Sequence, residues 1–252
     1  MIRLKTSDQI QVLAASGVIL ASVMKAITRE VKEGVRLSDL DKMAEELMRK
    51  SGAEPAFLNY KPGGADRPYP ASICTSLNDV VVHGLPSSRK VKSGDLLKLD
   101  FGVKYQGFYT DAAVTIPIGE VSDEAKRLMK ATKRALEKAI GIARPGKTTG
   151  DIGFEIEKVA KAFGFKPVRG LTGHGVGFAV HEEPTIYNYG EKGKGKKLEP
   201  GMVIAIEPMF SAGDDEIRQL KDESWATKDG SLAAQFEHTV AITKTGARIL
   251  TG

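Results

Sequence analysis

Ile10, Leu13, Gly17, Leu20, Met24, Ile27 and Val31 recur at steps of three or four, the spacing of a helix with one apolar face. Gly34 ends the pattern, and Ser38-Asp39-Leu40-Asp41 opens a second helix with a capping-box acid. This helix turns Leu40, Met43, Ala44 and Leu47 inward and ends near Gly52. The same order then returns. Ser122-Asp123 opens a helix carrying Leu128, Ala135, Ala139 and Ile140, Pro145-Gly146 interrupts, and Asp151-Ile152 begins another that ends near Gly164. Gly34, Asp39, Leu40 and Gly52 match Gly146, Asp151, Ile152 and Gly164 at one constant offset.

Each helix pair leads into apolar runs of strand type. KLDFGVKYQGFYTDAAVTI predicts two strands joined by a turn around Tyr105-Gln106-Gly107, with Asp100 and Asp111 facing each other across the hairpin. The second half offers VIAIE and QFEHTVAI. Two copies of helix–helix–strands predict an α+β fold with an internal pseudo-twofold duplication, an antiparallel sheet flanked by helices and a site at the seam. Two copies are too few for a solenoid. The expectation is one catalytic domain over 1–252, with halves of about 1–118 and 119–252.

The chemistry follows the same duplication. Gly94 precedes Asp100 by six residues, and Gly201 precedes Glu207 by six. Each then leads to a second acid, Asp111 or Glu237, and upstream of each pair stands a histidine in H-x-x-P, His83 or His181. A carboxylate inside LLKLD or VIAIE is costly to bury unless it is paired or bound to metal. One acid ending a strand is an ordinary turn residue; four in matched places argue for a dinuclear metal site. Two divalent ions can generate a hydroxide nucleophile at neutral pH. His174, flanked by glycines in LTGHGVG, is the candidate nitrogen ligand. Oxygen-rich ligation with one nitrogen suits Mn(II), Fe(II), Co(II) or Zn(II). His238 neighbours Glu237 and points to the opposite face of a strand, so it reads as structural. The matched placement of His83 and His181 marks them as substrate-contacting or ligand-supporting groups.

Composition narrows the setting. The chain is 41% hydrophobic and 27% charged, an ordinary globular balance, and its net charge of +5 is mild and points to no specific nucleic-acid partner. The single Cys74 excludes an internal disulfide and fits a reducing cytoplasm. MIRLKTSDQI lacks a signal-peptide pattern, and no run is expected to reach the roughly 18 apolar residues of a membrane span. GIARPGKT, from Gly141 to Thr148, satisfies the phosphate-loop pattern, but a helical segment precedes it where a strand is required. The glycine- and lysine-rich Gly190 to Lys197 stretch reads as a solvated loop.

CTSLNDVVVHGLP, KLDFGVKYQGFYTDAAVT, GHGVGFAVHEEP, IEPM and QFEHT, in that order, resemble the methionine aminopeptidases over essentially the whole chain. The resemblance implies the pita-bread fold and two divalent ions (Co, Mn, Fe or Zn). In it Asp100 chelates one ion, His174 and Glu207 the other, and Asp111 and Glu237 bridge them. It is similar to the short, bacterial-like type I form, since the His181–Glu207–Glu237 spacing leaves no room for the type II insertion. The implied reaction is attack by a water acidified between the cations on the first peptide bond of a nascent chain, with a small second residue preferred. Glu207 would shuttle the proton, His181 would hydrogen-bond the substrate near the scissile amide, and His83 would stabilise the tetrahedral species or leaving amine.

Tyr60, Tyr69, Cys74 and Trp225 resemble the lining of the methionine pocket, where a thioether suits aromatic and sulfur contacts. Two departures stand out: KPGGADRP lengthens the loop between Tyr60 and Tyr69, and Val180 occupies a place where a bulkier aromatic is common, which opens the pocket edge. The resemblance further implies nascent N-termini as partners, and transient ribosome contact would follow from such a substrate. A monomer is expected because no exposed apolar stripe stands out, and the chain's patterns point to a cytoplasmic setting with no membrane. The rival readings are a proline-directed peptidase of the same fold and a catalytically silent binding scaffold.

Overall fold

The structure, a computed structural model, describes residues 2–61 and 63–252. Helices α1 (Ser7–Glu30) and α2 (Leu37–Lys50) open the chain. Strands β1 (Glu54–Pro55), β2 (Ile73–Leu77) and β3 (Val80–Val82) lead to a long hairpin, β4 (Leu96–Tyr105) and β5 (Phe108–Pro117). A second helix pair follows, α3 (Asp123–Ile142) and α4 (Thr149–Phe163). Next come β6 (Lys166–Pro167), β7 (Thr172–Gly175), β8 (Glu182–Tyr187), β9 (Val203–Ile206) and β10 (Met209–Ser211). The chain closes with β11 (Ile217–Gln219), β12 (Trp225–Thr227), β13 (Ala233–Gln235), β14 (His238–Ile242) and β15 (Ala247–Ile249).

The duplication is visible in the backbone. Gly34 and Gly146 make matching interhelical turns at φ 88° and 87°, and α2 and α4 are each followed by a two-residue strand ending in proline. β1, β4, β2 and β5 form one antiparallel sheet; β15-β14-β9-β7-β8 form another. Each sheet is covered by its own helices. Leu97, Leu99 and Phe101 of β4 pack with Leu20, Ile27, Leu40 and Met48 of α1 and α2. Ile204, Ile206 and Val240 pack with Leu128, Ala135, Ile152 and Ile156 of α3 and α4. Strand alternation therefore turns Lys98 and Asp100 away from the helices, toward the second half.

Contrary to the sequence expectation, α1 is long and apolar enough to cross a membrane. Its Leu13, Ser16, Gly17, Leu20, Val23 and Ile27 face is buried, and the helix packs on β4 and β5. The closest approach is at Gly17, where a Cβ would stand 2.0 Å from the Leu250 carbonyl oxygen. Alanine favours a helix over glycine by about 1 kcal/mol, but this contact is with backbone and cannot yield easily. Gly17→Ala is expected to lower stability by roughly 1–3 kcal/mol, the usual cost of overpacking. A urea midpoint equal to wild type would contradict this docking.

Several boundaries differ from the sequence reading. α2 starts at Leu37 with no side-chain cap, because the Leu37 and Ser38 amides donate instead to the carbonyls of Arg89 and Ser87. α4 starts at Thr149, before Asp151: Thr148 is its N-cap, and Asp151 closes the capping box. In the hairpin, Asp100 lies opposite Ala113 and Asp111 opposite Gly102, so the two acids are diagonal neighbours on one face. QFEHTVAI is broken at Phe236-Glu237 between β13 and β14. The Gly190 to Lys197 loop is not merely solvated. The carbonyls of Lys194 and Lys196 accept the Gly150 and Thr149 amides at 3.0 and 2.9 Å, filling the helix start that a bound phosphate would need. α3 runs directly into GIARPGKT, so no strand precedes that pattern.

Candidate metal centre

Five ligand-type side chains reach the seam from five directions. Asp100 comes from β4 and Asp111 from β5, while Glu207 follows β9 and Glu237 sits in the break between β13 and β14. His174 comes from β7, which runs between β8 and β9. The approach is close: a Cβ on Gly173 would stand 2.4 Å from the Ala205 carbonyl oxygen, and one on Gly175 2.2 Å from that of Glu183. Only glycine fits on either side of this histidine.

Thr239 staples the two sheets together. Its hydroxyl accepts the Asp111 amide at 2.9 Å and donates to the Asp111 carbonyl at 2.8 Å. The Glu237 amide donates to the Ala113 carbonyl at 2.9 Å. Ligand atoms of Asp111, His174 and Glu237 consequently lie within 4.8 Å of one another. His174 Nε2 is 3.8 Å from an Asp111 carboxylate oxygen and 3.5 Å from one of Glu207. Its Nδ1 lies 3.0 Å from the Gly175 carbonyl, which can only accept, so Nδ1 carries the proton and Nε2 offers its lone pair.

Burial, with the nearby His181 and His83, lowers the His174 pKa to about 3, so its carboxylate contacts are not ion pairs. Burial raises Asp100 to about 7 and pushes Asp111, Glu207 and Glu237 well up, helped by their mutual repulsion. Asp100, Asp111 and Glu237 each also leave one buried oxygen without a hydrogen-bond partner. Orphaned buried carboxylate oxygens around a neutral imidazole are what divalent cations would satisfy, through both charge and ligation. The donor set of four carboxylates and one imidazole, without thiolate, fits such ions. Cys74 pairs with Asp100 in the β2–β4 ladder, but burial and that carboxylate hold its thiol well above the usual range, so it stays protonated.

These five side chains line a cavity of about 750 Å³, together with His83, His181, Tyr60, Tyr69, Cys74 and Trp225. The Tyr60 hydroxyl lies 2.8 Å from His181 Nδ1, and the His181 ring meets His174 edge to face at 4.4 Å between centroids. His83 adopts φ 59°, a left-handed conformation rare for a residue with a Cβ and often found at functional sites. Both rings are accessible from the cavity yet enclosed by protein, which lowers their pKa values, that of His83 to about 4. His238 instead faces away, with Nδ1 3.1 Å from the Thr251 hydroxyl.

The apolar wall is built by Ala56, Phe57, Cys74 and Val180 with Tyr60, Tyr69 and Tyr109. Val180 is buried within this wall. Gly63, Gly64, Ala65, Arg67, Pro68 and Tyr69 of the long loop line the cavity, and Arg67 pairs with Glu223 at 3.3 Å; Pro62 of that loop lies outside the described residues. Sequence reasoning missed Gln235, whose amide donates to Glu207 Oε2 at 3.2 Å, and Asn188, whose amide donates to the Glu207 carbonyl at 3.0 Å. Neither carries a local sequence signal, since Glu207 lies 28 and 19 residues away from them.

Residues 11–244 match the family model described as metallopeptidase family M24. The methionine aminopeptidase of Aquifex aeolicus is 48% identical over 99% of this chain and 98% of its own. The crystal structure of a methionine aminopeptidase from Thermotoga maritima superposes with a TM-score of 0.94 at 41% identity, covering 100% of this chain and 99% of that one. A prolidase from Pyrococcus furiosus gives a TM-score of 0.80 at 26% identity, covering 99% of this chain but 65% of the prolidase.

Proposed function

Because the chain belongs to the metallopeptidase family M24, among its methionine aminopeptidases, we propose that its cavity removes the N-terminal methionine of new polypeptides by metal-dependent hydrolysis. Asp100, Asp111, His174, Glu207 and Glu237 would hold two divalent ions, with cobalt, manganese, iron or zinc all compatible with the donors. When bound, such ions acidify water and polarise the scissile carbonyl. The observation that carries the reading is the set of unpaired buried oxygens on Asp100, Asp111 and Glu237 beside a neutral His174.

The remaining steps belong to the protein's own groups. Glu207, held by Gln235 at one carboxylate oxygen, accepts a proton from the attacking water and passes it to the leaving amine. With the Tyr60 hydroxyl donating to His181 Nδ1, 2.8 Å away, the ring's proton would sit on Nε2, where it would bond the substrate near the scissile amide. His83 supplies a second neutral imidazole for the tetrahedral species or the leaving amine. Tyr60, Tyr69, Cys74 and Trp225 offer the aromatic and sulfur contacts that a methionine thioether favours. A substrate α-amine held near or on a metal would restrict cleavage to the first bond. We take the chain as one catalytic domain with halves of about 1–118 and 119–252, acting as a cytoplasmic monomer in transient contact with the ribosome.

Competition between Met-Ala-Ser and an Xaa-Pro peptide tests the substrate assignment. Free methionine is expected from the first, with the second left intact. Preferential cleavage of the Xaa-Pro bond would replace this reading with a proline-directed one.

A further inference from the structure

Lys98 is a fully buried lysine, 1% exposed, on the face of β4 that also carries Asp100. Its ammonium donates to two main-chain carbonyls, Asn78 at 2.6 Å and Ala233 at 3.2 Å, and forms no ion pair among the described residues. The two carbonyls come from different halves of the duplication. Asn78 is clamped to the start of β4, its amide donating to the Leu96 carbonyl and its side chain accepting the Leu96 amide, both at 2.9 Å. Ala233 begins β13. The neighbour of Lys98 across the hairpin, Thr115, grips the other end of that strand: its hydroxyl donates to the Gln235 carbonyl at 2.6 Å and accepts the Gln235 amide at 2.9 Å. Gln235 in turn donates to Glu207 Oε2 at 3.2 Å.

We propose that Lys98 is a positioning residue for the metal-binding carboxylates, a buried amine donor that reinforces the tie of β13 to β4 and so holds Gln235 against Glu207. The inference rests on the metal-site reading above. Stability alone does not account for the residue, because a buried ion replaced by an apolar group of similar volume is often neutral or stabilising. What a methionine cannot do is bridge two carbonyls across the seam. Lys98 touches neither substrate nor ion; it acts through Gln235.

The test compares wild type, Lys98→Met and Lys98→Ala by titration calorimetry with Mn(II), alongside Met-Ala-Ser turnover and thermal melting. Mn(II) affinity is expected to fall roughly 10–100-fold in both variants, the usual effect of removing a group that supports a metal ligand. Lys98→Met should melt at or above the wild-type midpoint. Ammonium chloride should restore Mn(II) binding to Lys98→Ala by refilling the carbonyl pair, whereas tetramethylammonium chloride at equal ionic strength should not. Wild-type affinity in both variants, failure of ammonium to restore binding, or an unfolded Lys98→Met each overturns the proposal. If wild type binds Mn(II) and releases methionine while the variants match it, only the role of Lys98 falls. If wild type does neither, the reading of the site falls and takes this one with it.

Discussion

Glu207→Gln is expected to cut Met-Ala-Ser turnover by roughly 10²–10⁴-fold, the range for losing a positioned acid–base group. The change keeps side-chain volume and the contact with Gln235, so packing is little disturbed. It removes both a metal donor and the proton carrier. Metal affinity should therefore weaken along with turnover. The metal-free protein should respond in the opposite sense. Glu207 is raised well above its usual pKa by burial and by repulsion from Asp100 and Asp111. Neutralising it relieves that repulsion, so stripped Glu207→Gln should melt above stripped wild type, while added Mn(II) should stabilise it less. Near-normal turnover would remove the assigned role, and a lower melting point for the stripped variant would contradict the electrostatic account of the cluster.

His181→Ala should lower kcat by about 10²–10³-fold, as expected for a lost hydrogen bond to the transition state, with metal content unchanged. The imidazole stacks edge-on against His174 and is tethered by Tyr60, but it is not among the ligand atoms gathered within 4.8 Å. Tyr60→Phe removes the tether and keeps the ring, so a smaller loss of the same kind is expected. Metal analysis by atomic emission separates the alternatives: loss of metal from His181→Ala would make His181 a ligand.

The candidate chemistry was legible in the sequence because burial penalties act on residue type. A carboxylate ending an apolar run demands a partner wherever the chain goes, and the duplication repeated that demand at Asp100 and Glu207, then at Asp111 and Glu237. The paired helices were legible for a similar reason, since their 3.6-residue periodicity comes from the core they cover. What escaped depends on partners remote in sequence. The start of α2 is set by the carbonyls of Ser87 and Arg89, not by Ser38. The diagonal placement of Asp100 and Asp111 follows from a two-residue turn in which Gln106 and Gly107 both take positive φ, fixing a register that periodicity leaves open. Gln235, Thr239 and Lys98 have no local signature, because each acts on a group more than twenty residues away. The membrane-span expectation failed on α1, where serines and a glycine are interspersed with apolar residues without breaking its apolar character.

The most direct measurement of the central claim is methionine release from Met-Ala-Ser by chelator-stripped protein as Mn(II), Co(II), Fe(II) or Zn(II) is added back. The account expects no release from stripped protein, restoration by at least one of these ions, and no restoration in an Asp111→Asn variant that remains folded. Full release from protein verified to be free of metal, or no release with any of the ions, would contradict it.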